Sequence, residues 1–180
     1  MKNLTIIGAF AFVLSLTSTG SAQALPTALA KGNLQVGGGY SYATPDYGQR
    51  NIQGITGFAD FDFARHIGVE ADVHYIALIT PTDLAENTYL AGPRFIYTRG
   101  RFNLYGKGLV GVGDLVIQEQ QDNVGRFSGT SFAYALGGGL DILVKKHLVI
   151  RAADFEYQHW SYLTGLTPSV LTFGAAYRFR

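Results

Sequence analysis

From Asn33 onward apolar and polar side chains alternate through eight segments of about ten residues each, the period of an extended strand whose two faces differ. The runs fall at 33–43, 53–63, 67–78, 87–97, 102–115, 131–143, 148–158 and 169–179. In the second, Ile55, Gly57, Ala59, Phe61 and Phe63 share one face, and Thr56, Phe58, Asp60 and Asp62 the other. The third sets Ile67, Val69, Ala71, Val73 and Tyr75 against Gly68, Glu70, Asp72 and His74. The fourth sets Tyr89, Ala91, Pro93, Phe95 and Tyr97 against Leu90, Gly92, Arg94 and Ile96. In the fifth, Leu104, Gly106, Gly108, Val110 and Val112 oppose Tyr105 and Lys107. The sixth opposes Phe132, Tyr134, Leu136, Gly138, Leu140 and Ile142 to Asp141, and the eighth opposes Leu171, Phe173, Ala175, Tyr177 and Phe179 to Thr172, Gly174 and Arg178. Charge collects on one side of strand after strand.

The seventh segment breaks this parity, because strict alternation from Arg151 places Asp154 and Glu156 on the apolar side. If that side meets lipid, a midplane charge costs a few kcal/mol, less for acids and less near the interface. A one-residue β-bulge near Ala152-Ala153 returns both acids to the polar side, and such bulges recur in barrels. The connectors alternate as well. Thr44–Ile52, Ile79–Glu86, Val116–Thr130 and His159–Pro168 are long and polar, whereas Ala64–His66, Thr98–Arg101 and Val144–His147 are short. Short turns on one side and long loops on the other, with an apolar outer face, predict an all-β fold: an eight-stranded antiparallel up-and-down transmembrane β-barrel.

Composition sharpens that prediction. Hydrophobic residues make up 47% and charged residues only 15% of the chain, against the roughly 25% charged of soluble domains. No segment past the N-terminus carries the eighteen or so consecutive apolar residues of a membrane helix. A soluble barrel or sandwich also alternates, but it buries its apolar face and does not stack charges opposite it on successive strands. Ten tilted residues at about 3.3 Å each span close to 25 Å of membrane normal. Aromatics then sit where interfacial girdles belong: Phe61, Phe63, Tyr97, Phe102, Tyr177 and Phe179 at the short-turn end, and Tyr40, Tyr42, Tyr75, Tyr89, Phe132, Tyr157 and Trp160 at the long-loop end.

The N-terminus reads as a leader. Lys2 precedes an apolar run from Leu4 to Leu16, then small polar residues end in Ala22-Gln23-Ala24. That is the pattern of a secretory signal peptide, with cleavage expected after Ala24 and, as an alternative, after Ala22. Residues 1–24 are thus expected to be removed, leaving one barrel domain over 25–180. Cysteine is absent, which excludes disulfides, cysteine nucleophiles and thiolate metal sites. The net charge of +1 gives no reason to expect a nucleic-acid partner.

The inward set joins acids Asp60, Asp62, Glu70, Asp72, Asp141, Asp154 and Glu156 to bases Arg94, Lys107, Arg151 and Arg178. Hairpin registry puts Asp60 near Glu70, Glu70 or Asp72 near Arg94, Arg94 near Lys107, and Asp141 near Arg151. An eight-stranded barrel has an interior just wide enough for side chains to fill it, so these groups predict a salt-bridged plug. A gated proton or ion path is the competing reading. His66 and His147 lie in short basic turns and His74 faces the lumen, each read as a solvated or hydrogen-bonded group; neither a metal nor a cofactor is expected. Gly37-Gly38-Gly39 and Gly137-Gly138-Gly139 lie inside strands and are packing glycines, not phosphate loops.

The leader, the eight alternating strands and the inward acids and bases together resemble the small outer-membrane β-barrel family that includes the OmpA transmembrane domain and OmpX. The resemblance implies residence in the bacterial outer membrane as a monomer among membrane lipids and lipopolysaccharide, with insertion by the barrel-assembly machinery. That machinery reads a terminal aromatic with alternating apolar residues before it; Phe173, Ala175, Tyr177 and Phe179 keep the spacing, but Arg180 follows the last aromatic. With no further segment read after the eighth strand, anchoring to the cell wall through a periplasmic domain is not expected. His159-Trp160-Ser161 is similar to the active-site strand of outer-membrane lipid A deacylases, where serine attacks the acyl ester and histidine is the base. In that family an Asn follows the serine, and here Tyr162 does. The expected function is non-enzymatic: a closed barrel whose four surface loops serve envelope integrity, adhesion or surface interaction. The alternatives are a narrow porin-like channel for small solutes and a lipid A deacylase.

Overall fold

The computed structural model describes residues 32–45, 51–76, 79, 84–117, 127–161 and 165–179. They form eight strands: β1 (Asn33–Thr44), β2 (Ile52–Asp62), β3 (Ile67–Ile76), β4 (Leu84–Arg99), β5 (Phe102–Ile117), β6 (Phe127–Lys145), β7 (Leu148–Trp160) and β8 (Ser169–Phe179). Each pairs antiparallel with its sequence neighbour, and β1 closes on β8 from Leu34↔Phe179 to Thr44↔Ser169, so the sheet is a closed barrel without an edge. The expected leader, with Ala22 and Ala24, lies outside the described residues, as do Tyr162 and Arg180.

The alternation becomes two surfaces. Val36, Ile55, Val69, Phe95, Leu104, Val110, Leu136, Phe155 and Phe173 are exposed, whereas Asp60, Glu70, Asp72, Arg94, Lys107 and Asp141 are buried. In water such a belt of exposed large apolar side chains would aggregate; around a barrel it is the surface that meets acyl chains. The strand bounds follow the sequence pattern closely, except that β4, β5 and β6 run longer. Pairs such as Leu84↔Ile117 and Ile117↔Phe127 carry the ladder into stretches the sequence reads as loops. Strands that project beyond the apolar belt keep their backbone hydrogen bonds but have no lipid to impose alternation, so the periodic signal fades before the strand does.

The parity break in β7 is a bulge. Leu140 pairs with Ala153 but Asp141 with Arg151, and on the other side Arg151 pairs with Gly174 but Asp154 with Thr172, which leaves one extra residue at Ala152-Ala153. Asp154 and Glu156 are both buried as a result. At the turn end, Gly100 adopts φ 64° between Arg99 and Arg101, a left-handed conformation that a side chain resists. Pro93 in β4 has no N–H to donate, and the paired ladder skips Gly92 and Pro93 while keeping register from Ala91↔Val110 to Arg94↔Lys107.

Candidate functional site

The lumen is where the chemistry of this chain is concentrated, and it is built in layers. At the turn end Gln35 donates to Asp62 across β1 and β2 at 3.5 Å; Asp62 and Arg178 are half-buried there. Phe58, Val149 and Ala176 form a small apolar cluster with Leu143. Next comes the charged layer.

Its bases divide the acids between them. Arg94 pairs through Nη1 with Asp60 and, at 3.4 Å, with Glu70, and through Nη2 with Asp141 at 2.5 Å. Arg151 reaches Asp60 at 2.8 Å, Glu70 at 2.9 Å, Asp154 at 3.0 Å and Asp141 at 3.2 Å. Lys107 Nζ sits among four carboxylates: Glu156 at 2.6 Å, Glu70 and Asp154 at 2.8 Å, and Asp72 at 3.2 Å. The guanidinium of Arg94 lies 3.8 Å from the Tyr105 ring centroid, and that of Arg151 lies 3.6 Å from the Phe58 centroid. Taking each ion out of water costs several kcal/mol, recovered only with close, multiple partners; stacking on an aromatic face adds about 2 kcal/mol when desolvated. Because β2 to β7 all contribute, the bridges tie together strands that are not neighbours, such as β7 to β2 through Arg151 and Asp60.

Above the charges lies a polar layer in which Ser41 hydrogen-bonds Thr56 closely and Thr172 at 2.9 Å, and Thr56 Oγ1 meets His74 Nδ1 at 2.7 Å. The loop end is closed by an apolar layer of Ala43, Ile52, Ile76, Leu90, Leu109, Ala133, Ala135, Trp160 and Val170. Of these, sequence parity named only Leu90 on the inner face and did not single out the layer, because a few apolar positions on a polar face look like noise until the barrel gathers them at one height.

The structure corrects one girdle assignment. Trp160 is only 1% exposed and points into the lumen, where its Nε1–H donates to Gln158 at 3.1 Å. The bulge that turns Asp154 and Glu156 inward shifts the parity of everything after it on β7, so Gln158 and Trp160 follow them in. Gly113 makes room: a Cβ there would lie 2.7 Å from the indole. Gly139 does the same for Tyr105, whose hydroxyl a Cβ would approach to 2.6 Å. Tyr42 is half-buried, while Tyr40, Phe61, Phe63, Tyr75, Tyr89, Tyr97, Phe102, Phe132, Tyr157, Tyr177 and Phe179 lie exposed on the outer face. Several of these pack edge to face, with Tyr75–Tyr89 centroids 6.1 Å apart and Tyr177–Phe179 4.8 Å apart.

Asp60↔Glu70, Arg94↔Lys107 and Asp141↔Arg151 are opposed pairs. Asp72 is served by Lys107 rather than Arg94, since its register partner on β4 is Leu90. His159 and Ser161 both leave the lumen, flanking the inward Trp160; among the described residues no hydrogen bond joins them, and the His159 ring lies 5.0 Å from that of Tyr134.

The outer membrane protein beta-barrel domain model matches residues 10–179. Among solved structures the chain is similar to Ail, the attachment invasion locus protein of Yersinia pestis, at 23% identity over 83% of this chain and 99% of that one, with a TM-score of 0.58. It is also similar to Neisserial surface protein A (13% identity, 83% and 97% covered, TM-score 0.61) and to the N-terminal β-barrel domain of Pseudomonas aeruginosa OprF (12% identity, 83% and 98% covered, TM-score 0.55). At these identities the likeness is one of fold. No curated protein matches the sequence. A closed eight-stranded barrel with a lipid-facing belt, matched over nearly its whole length, places this chain in the outer membrane protein beta-barrel domain family, in the bacterial outer membrane.

Proposed function

We propose that this protein is a non-enzymatic, non-conducting surface barrel: a monomeric scaffold among outer-membrane lipids and lipopolysaccharide, inserted by the barrel-assembly machinery, whose loops serve adhesion or other surface interaction. The observation that carries the reading is the double seal of the lumen. A solute crossing the barrel would have to displace both the Arg94–Lys107–Arg151 network and the apolar layer around Trp160. Dry apolar constrictions oppose ions and buried paired charges leave no free path, so the outside of the barrel and its loops are what remains to act. The His159–Ser161 pair lacks the hydrogen bond that an activated serine needs. Ail forms a complex with the heparin analogue sucrose octasulfate, which makes sulfated polysaccharide a sensible first ligand to try on the loops.

The test pairs two measurements. Reconstituted in planar bilayers, the protein should give no discrete conductance steps, and lipid A from producing cells should carry the same acyl-chain count as lipid A from cells with empty vector. Regular conductance steps would replace the scaffold by a channel. An acyl chain lost with wild type but retained with Ser161→Ala would replace it by a deacylase.

A further inference from the structure

The charged layer is not evenly balanced. Among the described residues six carboxyl side chains, Asp60, Glu70, Asp72, Asp141, Asp154 and Glu156, are buried with only three bases, Arg94, Lys107 and Arg151. Around the arginines the account closes, because Asp60 and Asp141 each meet both guanidinium groups. The excess lies on the other side. Asp72 and Glu156 have Lys107 as their single lysine or arginine partner, and Lys107 is shared with Glu70 and Asp154. Buried carboxylates left short of positive charge are costly and recruit a proton or a metal ion.

The group facing this deficit is His74, 1% exposed. Its Nδ1 is held by Thr56 Oγ1 at 2.7 Å, and Thr56 is held in turn by Ser41. This chain of hydroxyl groups fixes the ring orientation as outer partners do for a ligating imidazole. Nε2 makes no hydrogen bond. It faces Glu156 Oε2 at 3.3 Å and Asp72 Oδ1 at 3.7 Å, and Asp72 Oδ1 also has no hydrogen-bond partner. The other oxygen of each acid is held away by Lys107, and Glu156 Oε2 is steadied by Gln158 at 3.0 Å. With its proton on Nδ1 and donated to Thr56 Oγ1, the neutral imidazole sets its Nε2 lone pair against both carboxylate oxygens, the tautomer a metal ion at Nε2 would select.

We propose that Asp72, His74 and Glu156 form a lumen site for one divalent transition-metal cation of the Zn2+ class. The three ligand atoms lie within 4.8 Å of one another. A tetrahedral Zn2+ at its usual bond lengths sets its ligands about 3.3 to 3.6 Å apart, close to the His74–Glu156 and His74–Asp72 separations. One nitrogen and two carboxylate oxygens leave a fourth position for water, and imidazole selects Zn2+, Ni2+, Co2+ or Cu2+ over Mg2+ or Ca2+. Two positive charges at this point would offset the local excess of carboxylates. The site lies beneath the Trp160 layer, so the ion enters as the barrel closes and then acts as a pin joining β3 to β7. It does not depend on the scaffold reading and stands or falls separately.

The protein isolated from outer membranes is unfolded in urea with EDTA, refolded in detergent with ZnCl2 or MgCl2, desalted and analysed for metal by mass spectrometry. Folding is followed in parallel by heat-modifiable electrophoretic mobility. The expected result is about one Zn2+ per folded chain, no retained Mg2+, and about tenfold or greater loss of Zn2+ in His74→Gln. Folded wild type that holds no stoichiometric Zn2+, or His74→Gln that holds as much as wild type, overturns the proposal and leaves a proton as the balancing charge. If His74→Gln does not fold, wild type loaded with Co2+ decides: a tetrahedral visible spectrum with a paramagnetically shifted His74 ring supports the site, and its absence overturns it.

Discussion

Replacing Arg94 by Met removes a guanidinium from the centre of the lumen while keeping a side chain of similar length. Asp60 and Asp141 lose their Arg94 contacts but retain Arg151, at 2.8 Å and 3.2 Å. Breaking a buried pair by deleting one partner costs about 3 to 5 kcal/mol when the other is left bare. Neither acid is left bare here, which argues for the lower end, and the lost stacking on Tyr105 adds part of about 2 kcal/mol. The expected destabilisation is therefore about 3 kcal/mol. Arg94→Lys keeps the charge but cannot bridge Asp60 and Asp141 from one planar fork, so it should fall between Met and wild type. In Arg94→Met/Asp141→Asn one of the two carboxylates that lost their closest partner is neutralised, and about 1 to 3 kcal/mol of coupling should be recovered. The assay is urea unfolding in lipid vesicles, read by Trp160, the single tryptophan of the chain, which is buried only when the barrel is closed. A stability shift appears as a moved midpoint at unchanged slope. Arg94→Met with the wild-type midpoint, or single variants whose effects simply add, would refute the view that the lumen charges act as a paired network.

Three further outcomes follow from the same structure. Folded protein should migrate faster unboiled than boiled in detergent electrophoresis, because a closed sheet has no free edge to unzip; equal mobility would contradict closure. Gly113→Ala should cost about 1 to 3 kcal/mol by pressing a methyl against the Trp160 indole, whereas Gly57→Ala, which meets nothing within 4 Å, should be neutral in the same urea titration. A cysteine at Thr44, at the loop end of β1, should react with an impermeant thiol reagent on whole cells, and one at exposed Lys146 only after the outer membrane is opened; the reverse pattern would invert the topology.

Most of the fold is legible in the sequence because a membrane barrel makes each residue answer to one local question, lipid or lumen, and the answer repeats every second position. That rule places β2, β3 and β8 nearly to the residue and puts Asp60, Glu70, Asp72, Arg94, Lys107 and Asp141 inside. It also reveals the bulge in β7, since Asp154 and Glu156 would otherwise sit in the membrane. What parity does not carry is height and cross-lumen distance. Trp160 looks like a girdle residue until the bulge displacement is followed to the strand end and Gly113 is found across from it. The sorting of Asp60 and Asp141 to the arginines, of Asp72 and Glu156 to Lys107, and the approach of His74 to the last two acids join β2, β3, β4, β5, β6 and β7 across the barrel. Those contacts link residues far apart in the chain and depend on how the closed sheet is staggered. The alternating pattern therefore determined the wall of this protein, and only closure of that wall decided what its interior groups can reach.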